Sequence, residues 1–254
     1  METGFSSGIE MKNKTLIIQI DIGRGTQWGT ANTIDPIRNI FIPSVKKYCS
    51  KHNYDYSLIT KSEYDIKYGT YDFLGSVNKH YSFERYFHFK NDYDFTIYID
   101  NDVYIYPDAD PIPHFKGLMN VKEPEGNSSK IFRQVNNLGE NFGYYNSGVT
   151  FCDKSTADFL ADYMIKRLND KNRPKGKNSD NMLLNEFILE NLDIFNELDG
   201  VWNYMPFLPN AKKIQKPNFF HFVGIIGKEI INKLQQNKIS VIEFLEEIKN
   251  KKQL

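Results

Sequence analysis

Short apolar runs alternate with segments of helical periodicity along the first part of the chain. Residues 14–20 indicate a buried first strand that ends in a glycine-punctuated turn, and Tyr54–Thr60 indicates the next strand. Between them, Asp35-Pro36 is a favourable helix start, and Pro43 predicts a break before the helix continues through Ser44–Lys51. Strand, helix and strand at this spacing predict a parallel sheet with helices on its faces.

Aromatic residues are dense from Tyr64 to Tyr106, just before and within the next predicted strand. Phe83, Tyr86 and Phe87 recur at helical spacing ahead of a strand that ends at Ile99. No basic stripe accompanies these rings, as a platform for stacking nucleic-acid bases would require. The pattern therefore favours a core role for most of them.

The second half of the chain predicts further helices around one long irregular segment. Val121–Gly139 is rich in Gly, Ser, Asn, Pro and charge, and predicts a long surface loop of the kind that often forms a lid. Ser240 and Glu243 form a capping-box sequence ahead of a last amphipathic helix. Between them we expect a strand, a helix, a basic linker and a second helix, at Gly148–Phe151, Thr156–Arg167, Lys171–Lys177 and from about Ser179.

Length and composition indicate one α/β domain. The 254 residues are 40% apolar, and 32 Lys and Arg balance 32 Asp and Glu, so the net charge directs the chain neither to nucleic acid nor to an acidic membrane. Cys49 and Cys152 lie far apart and indicate neither a disulfide framework nor a zinc site. We expect residues 1–12 to be a flexible leader and residues 13–254 a single catalytic domain. The expected location is cytoplasmic, with membrane contact at most peripheral.

The most informative motif is Asp100-Asn101-Asp102, directly after the strand that ends at Ile99. Two carboxylates at this spacing can reach one hard cation, and a cation offsets their repulsion. Such pairs also serve as plain turns or caps. Asp108-Ala109-Asp110 has the same spacing, but prolines on both sides indicate a turn, and Ile105 and Pro111 stand where an EF-hand needs a glycine and an acid.

Three later segments carry further polar candidates. His221 could supply a nitrogen ligand, Gly224 close backbone approach to a phosphate, and Lys228 a positive charge, although a histidine among phenylalanines is often a core residue. Asn146-Ser147-Gly148 precedes a strand, and Asp180-Asn181 opens a helix. Taken alone, the first is typical of a turn and the second of a helix N-terminus.

The order of these motifs, however, resembles glycosyltransferases of the GT-A fold, and most of all family 8, which includes glycogenin and bacterial lipopolysaccharide galactosyltransferases. The resemblance runs from about Leu16 to Lys228 and rests on order more than on any single motif. It implies a single Rossmann-like α/β domain with a mostly parallel central sheet flanked by helices. The motifs that carry it are Ile99 to Asp102, Asn146 to Gly148, Asp180 to Asn185, Trp202-Asn203, and His221 to Gly224 with Lys228.

The resemblance further implies a nucleotide-sugar donor, usually UDP-linked, and Mn²⁺ or Mg²⁺ as cofactor. It makes Asp100, Asp102 and His221 the metal ligands. The catalytic candidates that line the sugar and acceptor pocket are Asn146 and Asp180, and the donor-binding candidates are Asp21, Arg85, Asn101, Gly224 and Lys228. It implies retention of anomeric configuration without a dedicated base; Asp180 is the candidate base if the enzyme inverts. The acceptor, whether glycan, lipid-linked or protein, stays open.

Three departures from the family pattern are visible. Gly23 and Arg24 stand where the family has asparagine and tyrosine, Asn181 replaces a glutamine, and Lys228 falls one residue later than usual. Two alternatives therefore stay open beside a metal-dependent hexosyltransferase. One is a catalytically inactive carbohydrate-binding protein of the same fold, and the other is a sugar-phosphate nucleotidyltransferase.

Overall fold

A computed structural model describes residues 13–22, 37–62, 70–71, 77–78, 83–168 and 180–250. The strands in these ranges are β1 Thr15–Ile20, β2 Asp55–Ile59, β3 Thr70–Tyr71, β4 Val77–Asn78, β5 Phe95–Ile99, β6 Val103–Ile105, β7 Leu118–Lys122, β8 Tyr145–Asp153, β9 Phe195–Leu198 and β10 Phe219–His221. The helices are α1 Ile42–His52, α2 Glu84–His88, α3 Asn127–Val135, α4 Lys154–Leu168, α5 Asp180–Glu190, α6 Gly224–Gln236 and α7 Val241–Asn250. A π-helical turn, Ile37–Phe41, leads into α1, and 3-10 turns cover Leu192–Ile194 and Gly200–Trp202. Within these ranges, no helix combines the length and apolar character needed to cross a bilayer.

The central sheet has six strands in the order β2, β1, β5, β8, β7, β9. All its pairings are parallel except those of β8, which runs antiparallel to both β5 and β7. The predicted α/β class with a mostly parallel sheet is therefore confirmed. Because β8 is reversed, it begins at the edge where β5 and β7 end, and Ile99 of β5 pairs with Val149 of β8.

Helices cover both faces of this sheet. β1 is buried at every position, and its neighbouring residues Ile17 and Ile18 belong to different core clusters, as expected when successive side chains point to opposite faces. Leu160 of α4 and Leu183 of α5 pack with Ile18, whereas Val45 of α1 packs with Ile17. A parallel strand covered on both faces has a continuous apolar sequence, which explains the pattern of residues 14–20.

Most predicted elements are present. Pro43 lies in the first turn of α1, and in place of the predicted break the π-helical turn passes directly into the α-helix just before it. At the start of α7, the Ser240 amide donates to Glu243 Oε2 at 3.3 Å and the Glu243 amide to Ser240 Oγ at 3.5 Å, which is the predicted capping box. Asp35-Pro36, the leader 1–12 and the basic linker Lys171–Lys177 lie outside the described residues.

The prediction of a long loop over Val121–Gly139 is wrong, whereas the role of this segment as a lid stays a prediction. The segment begins with the end of β7 and contains α3, whose first turn is closed by Ser129 Oγ donating to the Gly126 carbonyl at 2.7 Å. Phe132 is buried against the ring of Tyr144, and Arg133 pairs with Glu125. The contact of Phe132 with Tyr144 packs α3 onto the rest of the domain.

Candidate metal and donor site

The two aspartates stand on a tight turn at the carboxyl end of β5. The Asp100 amide donates to the Gly148 carbonyl of β8 at 2.7 Å, so the strand pairing continues one residue beyond Ile99. The Val103 amide then donates to the Asp100 carbonyl at 3.2 Å, which closes the turn that leads into β6. The turn therefore presents Asp100 and Asp102 at the edge of the sheet.

A second, two-stranded sheet brings the histidine to this turn. β10 pairs antiparallel with β6, with His221 opposite Val103, and the Phe222 amide donates to the Asp102 carbonyl at 2.9 Å. His221 Nε2 lies 3.1 Å from Asp102 Oδ1 and 3.8 Å from Asp100 Oδ2. One ligand atom from each of the three side chains lies within 4.8 Å of the others. More than a hundred residues apart in sequence, Asp100 and His221 thus converge on one point.

Gly148 leaves room for this convergence. A Cβ atom added there would lie 2.3 Å from His221 Cε1, 2.8 Å from Asp100 Oδ2 and 2.9 Å from Asn146 Oδ1. All three distances are shorter than van der Waals contact allows. The predicted Asn146-Ser147-Gly148 motif therefore includes a glycine that forms one wall of the site.

The other ring nitrogen of His221 belongs to a buried chain of side-chain hydrogen bonds. His221 Nδ1 lies 2.9 Å from Asn203 Oδ1, and Asn203 Nδ2 donates to Asn146 Oδ1 at 3.0 Å. Asn146 Oδ1 also accepts from the Gly148 amide at 2.8 Å. Asn146, predicted to line the sugar pocket, is thus buried and bonded to the residues around the metal candidates.

Sequence reasoning missed Glu123, which continues this chain. Asn146 Nδ2 donates to Glu123 Oε2 at 3.2 Å, and Asn181 Nδ2 lies 3.5 Å from the same oxygen. Burial raises the pKa of Glu123, and the bond from Asn146 opposes that rise. The available signal was its position: Glu123 directly follows β7, as Asp21 and Asp100 follow β1 and β5.

Arg85 is the second residue of α2, and its guanidinium lies close to Asp100 and Asp180. It is fully buried, pairs with Asp180 and donates from Nη1 to the Ser147 carbonyl at 2.9 Å. Its Nη1 also lies 3.9 Å from Asp100 Oδ1, and its guanidinium lies 4.2 Å from the centre of the Tyr98 ring. Arg85 therefore braces Asp180 and Asp100; its direct contact with a donor stays a prediction.

Asp180 is oriented by α5 and the start of β8. Ser147 Oγ donates to Asp180 Oδ2 at 2.8 Å, beside the contact from Arg85. Asn181 Oδ1 accepts from the Ser147 amide at 2.7 Å, and Asn185 Oδ1 accepts from the Tyr145 amide at 2.7 Å. Two asparagines one helical turn apart thus attach α5 to β8 and fix the helix start that carries Asp180.

The cluster of Asp100, Asp102 and His221 carries excess negative charge. Burial, followed by the charge of Asp102, raises the pKa of Asp100, against the opposing effect of Arg85. Burial alone would lower the pKa of His221, but Asp102 and Asp100 outweigh it, so this pKa lies above the ordinary histidine value. Both shifts show a site that favours an added positive charge, either a proton or a cation.

Two of the remaining predicted donor residues, Asp21 and Asn101, lie at this edge. Asp21 follows β1, and its Oδ2 lies 3.9 Å from Arg38 Nε. Asn101 Nδ2 donates to the Ile20 carbonyl, while its Oδ1 is buried and has no hydrogen-bond partner among the described residues. Gly224 and Lys228 belong to the first turns of α6, but their surroundings lie outside what the structure describes.

The second acidic motif, Asp108-Ala109-Asp110, is separate from the group of Asp100, Asp102 and His221. Asp110 bonds to Asn218 through its amide at 3.1 Å and lies 3.9 Å from Lys216, and Asp108 belongs to the turn after Pro107. Among the described residues, the group that can offer three ligand atoms to one metal ion is Asp100, Asp102 and His221, without Asp108 or Asp110.

No protein-family model and no curated protein matches this sequence. Among solved structures, the bifunctional glycosyltransferase WbbM superposes with a TM-score of 0.53 at 14% identity, over 88% of this chain and 47% of that one. A glycosyltransferase involved in glycosylation of the major capsid of PBCV-1 gives 0.52 at 15% identity, over 88% of this chain and 99% of that one. The galactosyltransferase LgtC, in complex with donor and acceptor sugar analogues, gives 0.49 at 13% identity, over 92% and 99%. At such identities the first two similarities show the fold of this chain.

Proposed function

We propose that this chain, which has the GT-A fold of glycosyltransferases, is a metal-dependent glycosyltransferase that moves a sugar from a nucleotide-sugar donor, such as a UDP-sugar, to an acceptor hydroxyl. The observation that carries the proposal is the convergence of Asp100, Asp102 and His221 at the carboxyl edge of the sheet. In open α/β sheets, ligands bind outside the carboxyl ends of the strands. The proposed catalytic unit is the single domain formed by residues 13–254.

The three side chains suit a divalent cation. Two carboxylate oxygens and one imidazole nitrogen form a donor set that Mn²⁺ accepts readily, and Mg²⁺ accepts the oxygens. A Cβ at Gly148 would overlap His221 and Asp100, so the space beside these groups depends on the absence of a side chain. The ring nitrogen of His221 that faces away from the cluster is already bonded to Asn203, as is usual for a histidine that ligates a metal.

The cation, when bound, would offset the negative charge that builds on the leaving diphosphate as the bond from the sugar to the diphosphate breaks. The remaining tasks belong to the chain. Asp100 and Asp102 would hold the diphosphate end of the donor through that cation, and we propose that Lys228 adds positive charge there. Asp21 and Asn101, at the same edge, would contact the nucleoside.

We propose that the sugar lies between the start of β8 and the start of α5. Asn146, Asp180 and Glu123 supply acceptors and donors for sugar hydroxyls at that position, and they are held by bonds to their neighbours rather than by solvent. Rigid polar groups lower the entropic cost of placing the acceptor hydroxyl against the anomeric carbon. The acceptor itself is defined only as an alcohol that can enter this edge.

Retention of anomeric configuration is the stereochemical outcome that we propose. An inverting reaction needs a carboxylate that can take the proton of the acceptor. Asp180, the candidate for that role, is already paired with Arg85 and accepts from Ser147 Oγ at 2.8 Å. These contacts stabilise its charge and make it a weaker base. Proton NMR of the product anomer in the first turnovers checks the outcome.

Calorimetry with a panel of UDP- and GDP-sugars, each with and without Mn²⁺, tests the main proposal. We expect at least one donor to bind only when Mn²⁺ is present, and Asp102→Asn to abolish that binding. Asp108→Asn is the matched control because Asp108 belongs to the same i, i+2 pattern but lies outside the ligand group. It should bind like the wild type.

Two results would count against the proposal. One is the absence of Mn²⁺-dependent binding for every donor, and the other is an Asp102→Asn variant that binds as the wild type does. Slow hydrolysis of the donor separates an active transferase from a carbohydrate-binding protein of the same fold. If the donor binds with Mn²⁺ but is neither transferred nor hydrolysed, the chain is a binding protein.

A further inference from the structure

We propose that Asn203 is a positioning residue that fixes the tautomer of His221 and so directs the lone pair of Nε2 toward the two aspartates. The inference rests on the proposed metal function of His221. Asn203 is 1% exposed and His221 2% exposed, so water does not compete for the contact between them. Asn203 belongs to a buried hydrogen-bond chain that runs from the Gly148 amide through Asn146 and Asn203 to His221.

The direction of every hydrogen bond in this chain follows from two partners of Asn146, the Gly148 amide and the Glu123 carboxylate. A backbone N–H can only donate, so the Asn146 atom that faces the Gly148 amide must be the oxygen. The side-chain nitrogen of Asn146 then faces Glu123, a carboxylate that accepts when ionised. Both partners therefore require the same orientation of the Asn146 side-chain amide.

The orientation of Asn146 determines the orientation of Asn203. Asn146 Oδ1 can only accept, so the Asn203 atom at 3.0 Å from it must be the nitrogen. The oxygen of Asn203 is left facing His221 Nδ1 at 2.9 Å, and an amide oxygen can only accept. His221 must therefore carry a proton on Nδ1, which leaves Nε2 of the neutral ring as an acceptor or metal ligand.

The backbone holds Asn203 in register with His221. Asn203 follows the 3-10 turn Gly200–Trp202, in which the Val201 amide donates to the Asp199 side chain, and the Asn203 amide donates to the Gly200 carbonyl at 3.2 Å. On its other side, the Tyr204 amide donates to the Phe219 carbonyl at 2.9 Å and the His221 amide to the Tyr204 carbonyl at 2.8 Å. Main-chain hydrogen bonds around Asn203 and around His221 thus fix the two residues relative to each other.

The acceptor at Asn203 affects which nitrogen of His221 carries the proton. Without the acceptor at Asn203, the neutral imidazole can place its proton on either nitrogen, and the ring can rotate. A proton on Nε2 would face Asp102 Oδ1 at 3.1 Å, which favours that arrangement over the metal-ligating one. Asn203 therefore selects the form of His221 that leaves room for a cation.

The test compares Asn203→Leu and Asn203→Asp with the wild type. Leucine has nearly the size of asparagine but no acceptor, and we expect Mn²⁺ affinity to fall by about tenfold to a hundredfold. Aspartate keeps the acceptor toward His221, but its second oxygen must carry a proton to face Asn146 Oδ1, so affinity should fall less than in Asn203→Leu. Long-range ¹H–¹⁵N NMR of the ring nitrogens, recorded without metal above the pKa of His221, should show Nδ1–H in the wild type and Asn203→Asp and a shift toward Nε2–H in Asn203→Leu.

Asn218→Leu is the matched control, because Asn218 is equally buried, immediately precedes β10 and bonds to Asp110 rather than to His221. It should lose stability without changing Mn²⁺ affinity or the His221 signals, which a His221→Asn spectrum identifies. Unchanged Mn²⁺ affinity and unchanged ring signals in Asn203→Leu would overturn the inference. If the wild type itself binds neither Mn²⁺ nor Mg²⁺, the proposed function fails, while the metal-free ring spectra still decide the role of Asn203.

Discussion

Gly148 and His221 are so close that a Cβ atom on Gly148 would lie 2.3 Å from Cε1 of the imidazole. His221 cannot retreat easily, because its Nδ1 is bonded to Asn203 and it is buried. The smallest possible side chain at residue 148 would therefore move a proposed metal ligand. The contact relates a glycine in β8 to a histidine in another sheet, and it gives the first prediction.

Gly148→Ala should lower Mn²⁺ affinity by at least about tenfold, the scale on which displaced metal ligands act. The added methyl group forces His221 or Asp100 away from the shared point. Titration of the metal by calorimetry measures the loss. Gly139→Ala is the control because no atom lies within 4 Å of a Cβ at that position. Equal affinity in the two variants would show that the cation does not lie between these residues.

The second prediction concerns pH. The pKa of His221 is raised in the metal-free protein by Asp102 and Asp100 despite its burial, and the pKa of Asp100 is raised by burial and by Asp102. Below these pKa values, a cation must displace protons to bind, so Mn²⁺ affinity should fall as pH falls, by up to about tenfold per pH unit for each proton. The affinity should level off once the pH is above the pKa of His221.

Calorimetry in buffers of different ionisation enthalpy, from about pH 5.5 to about pH 8, would count the protons released. The His221→Asn variant should bind Mn²⁺ more weakly and with a shallower pH dependence, because one proton no longer competes. Affinity that stays constant through this range in the wild type would contradict the assignment of His221 as a ligand.

The third prediction concerns stability. Arg85→Leu should lower the free energy of unfolding by about 3 kcal/mol, because it leaves the charge of Asp180 and the Ser147 carbonyl beside an apolar side chain. Urea unfolding measures the change. Combining it with Asp180→Asn should recover part of the loss, since the charge of Asp180 is then no longer left without its partner, whereas that of Asp100 still is.

Lys90→Leu serves as the comparison for Arg85. Lys90 pairs with Asp162, but the two side chains are 45% and 65% exposed, so water screens the pair. Its removal should cost less than about 1 kcal/mol. If Arg85→Leu costs as little, the buried guanidinium does not brace the aspartates.

The fourth prediction concerns the attachment of α5 to β8. Asn185 accepts from the Tyr145 amide and donates to the Tyr145 carbonyl at 2.8 Å, as a neighbouring strand would. Asn185→Leu should cost about 1 to 3 kcal/mol, because these backbone groups lose their partner. Hydrogen exchange at Tyr145 and Ser147 should accelerate together. Asn196→Leu, at an exposed residue that donates to the Lys116 carbonyl, should leave both amides protected.

The sequence predicted those parts of the molecule whose information is local. The run from Phe95 to Ile99 is apolar because the strand is covered on both faces, and the acids follow where that cover ends. Helix α3 was missed because its polar composition resembles a loop and Gly126 precedes it. It is stabilised instead by contacts such as that of Phe132 with Tyr144, which a local pattern does not contain.

The candidate site was predictable as a set of residue types but not as an arrangement. Asp100, Asp102 and His221 could be chosen from motif order, whereas Glu123 depends on the pairing of β7 with β8. The role of Asn203 is still less visible, because it lies in the direction of three successive hydrogen bonds. Such directions follow only when the partner of each polar atom is known.

The reversal of β8 also has a practical use. The candidate metal ligands Asp100, Asp102 and His221 lie at the edge where β8 begins, whereas the opposite edge is the one where Phe95 pairs with Asp153. Lys116 is exposed and leads into β7 at that opposite edge. A Lys116→Cys variant coupled to a sensor chip through its thiol, with Cys49 and Cys152 both buried, would therefore hold each molecule with its candidate site toward the flowing solution, so that donors and acceptors could be screened on one oriented surface.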